Sequence, residues 1–178
     1  MNRRQFTKLL AGVGLLLAGC RAGAAPSSST PERKDSMQTT TQTYTRTTPI
    51  ETVRNDPVFG DYGRLIFPVE RSYYSGDTLE QLHLTYYNNI DPDETVDICN
   101  TLRQRAADGQ TIFYDIYTED EQAADPDKAD TGLFYFKGNP GAKFSICNAG
   151  GAFAYVGAMQ DSFPHALELS RKECNAFA

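Results

Sequence analysis

Tryptophan is absent from this 178-residue chain, histidine occurs only at His83 and His165, and positive charge is short: 17 Lys and Arg stand against 23 Asp and Glu. Each shortage excludes something. The formal charge of −6 becomes −9 once Arg3, Arg4 and Lys8 at the amino terminus are set aside. A surface this acidic repels phosphate backbones, so nucleic acid is not an expected partner. Two histidines, and four cysteines without Cys-x-x-Cys spacing, give no zinc pattern, and no metal or cofactor is expected. No serine has glycine two residues before it, so the Gly-x-Ser-x-Gly elbow that presents a serine nucleophile is missing. The length allows one ordinary domain and not two.

The amino terminus carries a processing signal. Met-Asn-Arg-Arg-Gln-Phe-Thr-Lys is a basic start, and an apolar run too short to span a bilayer comfortably follows it, ending in small residues and Cys20. The pair Arg3-Arg4 with Phe6 and Lys8 resembles a bacterial twin-arginine export signal. Leu17-Ala18-Gly19-Cys20 resembles a lipoprotein lipobox. The resemblance implies a signal peptide over residues 1–19, passage through the twin-arginine export machinery, and lipid on Cys20 that holds the protein to a membrane at the cell envelope. Each buried acyl CH₂ contributes about 0.8 kcal/mol to such an anchor. Between Pro26 and Thr48, 12 of 23 residues are Ser or Thr. Residues 20–55 are therefore expected to form a disordered linker, because so few apolar groups cannot offset the entropy of ordering.

From residue 56 onward the pattern is that of a folded α/β domain. Asp56 to Pro68 reads as a loop with one extended piece. Asp77 or Thr78 is placed to cap a first helix bearing Leu79, Leu82 and Tyr86. Asp91-Pro92-Asp93 ends it, and Asp93 or Thr95 starts a second with Val96, Cys99, Leu102, Arg103 and Ala106, closing at Gly109. Strands are expected at Thr111–Tyr117, Gly132–Lys137 and Lys143–Cys147, and residues 174–178 look like the start of another. A helix over Phe163–Leu169 has Pro164 in its first turn, with Asp161 and Ser162 as its caps.

Strand, strand, turn, strand, glycine-rich loop, helix, strand is the order in which an α/β-hydrolase begins. Residues 109–117, 131–138 and 141–168 together resemble the esterase/lipase-like α/β-hydrolases, and the likeness covers about residues 70–178. It implies the N-terminal portion of a hydrolase sheet, incomplete and preceded by two helices. It also implies that Gly150, Gly151 and Ala152 aim backbone N–H groups at an oxyanion, and that Phe153 and Tyr155 line a substrate cleft. Ala149 stands where many esterases have histidine or proline, and Ala152 replaces a third glycine. In that family the nucleophile, acid and histidine all come later than the residues matched here. The expectation is a fragment of an exported, lipid-anchored ester hydrolase that is inactive by itself, with a remainder encoded downstream as a partner. The alternative is a non-enzymatic surface lipoprotein that uses a degenerate hydrolase half for binding. Neither Cys147, expected in the core, nor His165, at the start of a helix, is assigned a site role.

Overall fold

A computed structural model describes residues 43–86 and 90–178. Arg3, Arg4, Cys20 and the expected linker up to residue 42 lie outside the described residues. The folded part starts earlier than residue 56, which corrects the expected linker boundary. Tyr44 is buried, and the Asn100 side chain clasps its backbone, accepting from Tyr44 N at 2.8 Å and donating to Tyr44 O at 3.0 Å. Helix α1 (Ile50–Arg54) follows and buries Ile50 and Val53. A Thr-rich composition hides this order, because a few distant contacts hold the segment in place.

The same segment explains why only a short 3₁₀ turn, Leu79–Gln81, follows Thr78 in place of the expected helix. Leu79 N donates to Thr48 O at 3.0 Å and Glu80 N to Arg46 O at 2.9 Å. Those N–H groups pair across to residues 46–48, so the helical period of Leu79, Leu82 and Tyr86 is not realised. Instead a two-residue ribbon forms, β1 (Tyr74–Ser75) antiparallel to β2 (His83–Leu84). The stretch after Asp56 is also not the expected loop. It is a 3₁₀ run, Pro57–Leu65, capped by Asp56, whose carboxylate accepts from Val58 N at 3.0 Å. The second expected helix is present as α2 (Pro92–Ala107), with Ile98, Cys99 and Leu102 buried. Asp91 caps it rather than Asp93 or Thr95, accepting from Asp93 N and Glu94 N.

Four strands make one mixed sheet. β3 (Phe113–Asp115) leads through α3 (Glu119–Ala124) to β4 (Gly132–Phe136), and then come β5 (Phe144–Ile146), α4 (Ser162–Arg171) and β6 (Asn175–Phe177). Their spatial order is β3-β4-β6-β5. β3 and β6 run antiparallel to β4, and β5 runs parallel to β6. A parallel pair needs a long crossover, which α4 supplies. The terminal strand, expected as the start of another strand, is thus interior to the sheet, and β5 is an edge strand.

Alternation gives the sheet two unlike faces. Phe134, Phe136 and Ala176 face the helices, and Phe163 of α4 meets Phe134 at 5.0 Å and Phe136 at 5.6 Å between ring centres. On the other face Tyr135 stacks on Phe177 at 4.9 Å, while Phe144 and Ile146 are 69% and 57% exposed. That second face is left largely open among the described residues. Cys99, Cys147 and Cys174 are free thiols, and Cys147 is only half-buried. No helix among the described residues is long and apolar enough to cross a membrane.

Candidate functional site

The glycine-rich loop leaves the carboxyl end of β5, where Cys147 N donates to Phe177 O at 2.7 Å. Gly151 O then accepts from Ala154 N at 2.9 Å, closing a tight turn whose central residues, Ala152 and Phe153, have φ of 53° and 60°. Both are left-handed, the arrangement of a type I′ turn that glycine and asparagine ordinarily occupy. Holding alanine and phenylalanine there costs about 1–2 kcal/mol per residue. Gly151, at φ 143°, is needed outright, because a Cβ at that position would overlap the carbonyl oxygen of Tyr155.

Two further bonds pin the base of the loop. Gly157 N donates to Gly150 O at 2.9 Å, and Gly150 N donates to Asp161 Oδ2 at 2.7 Å. The second bond corrects the expected oxyanion set, since the Gly150 N–H is already committed. Gly151, Ala152 and Phe153 donate to no acceptor among the described residues. Three successive free N–H groups around one tight turn are able to receive an oxygen that carries developing negative charge. Of the expected Gly150, Gly151 and Ala152, the last two keep a free N–H and Gly150 does not.

Asp161 was expected as a helix cap. It makes no side-chain cap bond, and its carboxylate serves the loop instead. Nor does Ser162 cap the helix: its hydroxyl is buried without a partner among the described residues. His165 Nδ1 donates to Asp161 O at 2.6 Å, which leaves Nε2 facing outward on an exposed ring. No group of three or more His, Cys, Asp or Glu side chains gathers as a metal ligand set among the described residues.

The two cleft candidates part company. Phe153 is fully exposed and borders an open concavity of about 430 Å³ formed by residues 149–156. Tyr155 borders that concavity and also a second cleft of about 380 Å³. Its ring stacks on Tyr73 at 4.9 Å and on Tyr86 at 5.9 Å. These contacts fasten the loop to the β1–β2 ribbon. Phe134 and Phe163 also border the second cleft, as does Ala178 just beyond β6. Loop and cleft therefore sit together at the carboxyl ends of the two parallel strands, where open α/β sheets place their ligands. Tyr73 and Asp161 were not legible as site residues, because each reaches the loop through tertiary packing alone. No protein-family model, no curated protein and no solved structure matches the chain.

Proposed function

We propose that residues 43–178 are the first half of an α/β-hydrolase domain of the esterase/lipase-like kind, and that the loop 150–153 is its oxyanion-stabilising element. What is established is a mixed α/β arrangement. The proposal beyond it rests most on one observation: the four sheet strands lie in the spatial order first, second, fourth, third, with the second antiparallel to its neighbours. An α/β-hydrolase sheet begins in that order, and its glycine-rich loop also follows the third strand. The free N–H groups of Gly151, Ala152 and Phe153 supply the chemistry such a loop requires. Charge that forms on a carbonyl oxygen during nucleophilic attack is met by dipoles already in place.

By itself the chain is expected to leave p-nitrophenyl acetate and butyrate unhydrolysed, because no hydroxyl or thiol is activated by a base. The check is release of p-nitrophenol against a buffer blank. Turnover that survives Ser145→Ala and Ser162→Ala but disappears in Cys147→Ala would contradict this and would point to a cysteine hydrolase. A second reading, a non-enzymatic binding module, gains from the placement of β6 between β4 and β5, which lets four strands pair without a further segment.

The leader supports the rest of the reading: export by the twin-arginine route and anchoring through lipid on Cys20. Fractionation of cells expressing the wild type, Cys20→Ala, and the Arg3→Lys/Arg4→Lys pair tests both parts. The wild type is expected with the membranes, Cys20→Ala in the soluble envelope fraction, and the Lys-Lys variant largely unexported. Equal solubility of wild type and Cys20→Ala would rule out the anchor.

A further inference from the structure

The 380 Å³ cleft beside the loop combines an aromatic wall with a one-signed rim. Phe67, Phe113, Phe134 and Phe163 border it together with Tyr73 and Tyr155, and its rim carries Glu70, Asp127 and Asp130. No lysine, arginine or histidine borders it. The nearby cations are already engaged: Arg64 neutralises Asp130 at the rim itself, and Arg54 donates to Pro68 O at 3.1 Å. Lys128 lies over the Tyr117 ring at 5.0 Å, and Arg71 donates to Tyr74 O and Gly76 O. Glu70 and Asp127 make no ion pair among the described residues, so the rim keeps two carboxylates uncompensated.

We infer that this cleft binds a small organic cation: an aromatic or branched apolar body that carries one positive charge. Each part of the lining favours that class. An apolar body is drawn into a wall of aromatic side chains, as in most small-molecule sites. Positive charge gains from the Glu70 and Asp127 carboxylates, which stay hydrated at the rim, so no charge is left buried and unpaired. A comparable anion meets two uncompensated carboxylates, and the Arg64 cation is already paired with Asp130 at the rim. If the loop is the oxyanion element proposed above, the substrate is an ester with a cationic or basic group; that link rests on the earlier reading, whereas the binding itself does not.

The test is a titration of the ¹⁵N-labelled full chain with three probes that share a benzyl group: benzyltrimethylammonium, its neutral isostere neopentylbenzene, and the anion phenylacetate. Amide shifts at Thr131 and at Ala154, Tyr155 and Val156 report occupancy of the cleft. The cation is expected to saturate these shifts at a concentration about tenfold lower than the neutral isostere. Phenylacetate is expected to give no saturable shift. Glu70→Gln combined with Asp127→Asn, two exposed positions whose change leaves the core intact, is expected to bring cation and isostere to parity. The inference is overturned if the cation gives no saturable shift at these amides. It is equally overturned if the isostere binds as tightly, or if the double variant keeps the preference for charge. Because no turnover is read, a failure here leaves the oxyanion reading standing, and failure of that reading leaves this result intact.

Discussion

Asp56→Ala is expected to destabilise the fold by about 3–5 kcal/mol, the cost of removing one member of a buried ion pair. Asp56 is 8% exposed and accepts from Tyr44 Oη at 2.6 Å, Arg103 Nε at 2.8 Å and Val58 N at 3.0 Å. Alanine would leave the Arg103 guanidinium buried without its carboxylate and the Tyr44 hydroxyl without its acceptor. Asp56→Asn keeps the volume and part of the bonding, so its loss is expected to be smaller. Asp56→Leu with Arg103→Met removes both charges and is expected to recover most of the stability. Urea titration followed by far-UV circular dichroism compares the four chains. An Asp56→Ala midpoint equal to wild type would show that Tyr44 and the segment after it do not belong to the fold.

The same carboxylate sets an acid limit on stability. Burial alone would raise its pKa, but hydrogen bonds from Tyr44, Val58 N and Arg103, with the charge of Arg103, outweigh burial and hold it below the usual range. A depressed carboxyl contributes stability that is complete above its unfolded value, about pH 4, and is lost as pH falls through the lower folded value. Stability of the wild type should therefore decline below about pH 4. In Asp56→Ala the decline should be shallower.

Gly151→Ala carries the second large effect, a loss of at least about 2 kcal/mol from strain and overlap together. At φ 143° an alanine is strained, and its Cβ would have to displace the Tyr155 carbonyl. Because Tyr155 ties the loop to Tyr73 and Tyr86, the movement would spread to the ribbon. Phe153→Gly is expected to act in the opposite direction. Phe153 is fully exposed and left-handed, so glycine removes strain and little packing, with a net gain of up to about 1 kcal/mol. If Gly151→Ala matched wild-type stability while Phe153→Gly lost it, the turn described here would be wrong.

Helix α2, strands β4 and β5, helix α4 and the glycine-rich loop could all be read in advance, because each is specified by neighbours in sequence. The period of Val96, Cys99, Leu102 and Ala106 needs no distant partner to be recognised. The alternation in Leu133-Phe134-Tyr135-Phe136 is equally local. What escaped reading was set by long-range pairing. Tyr44 sits in a threonine tract, and only its contacts with Asp56 and Asn100 order it. Leu79 has a helical pattern but gives its N–H to Thr48. At the site, three adjacent small residues identified the loop but not which N–H groups were free. That depended on Asp161, eleven residues away, whose carboxylate takes the Gly150 N–H. The open sheet face carrying Tyr135, Phe144, Ile146 and Phe177 was likewise invisible, because apolar alternation does not say how many faces are covered.

On the proposed oxyanion reading, Gly151, Ala152 and Phe153 form the donor set and Gly150 is excluded. The most direct measurement is ¹H–¹⁵N NMR of the purified chain titrated with triethylphosphine oxide, a small, neutral and strong hydrogen-bond acceptor. Downfield shifts of the Gly151, Ala152 and Phe153 amide protons, with Gly150 unmoved, are expected; Asp161→Ala should release Gly150 to shift as well. Shifts scattered over the exposed surface, or a Gly150 amide that moves with the other three in the wild type, would contradict the account.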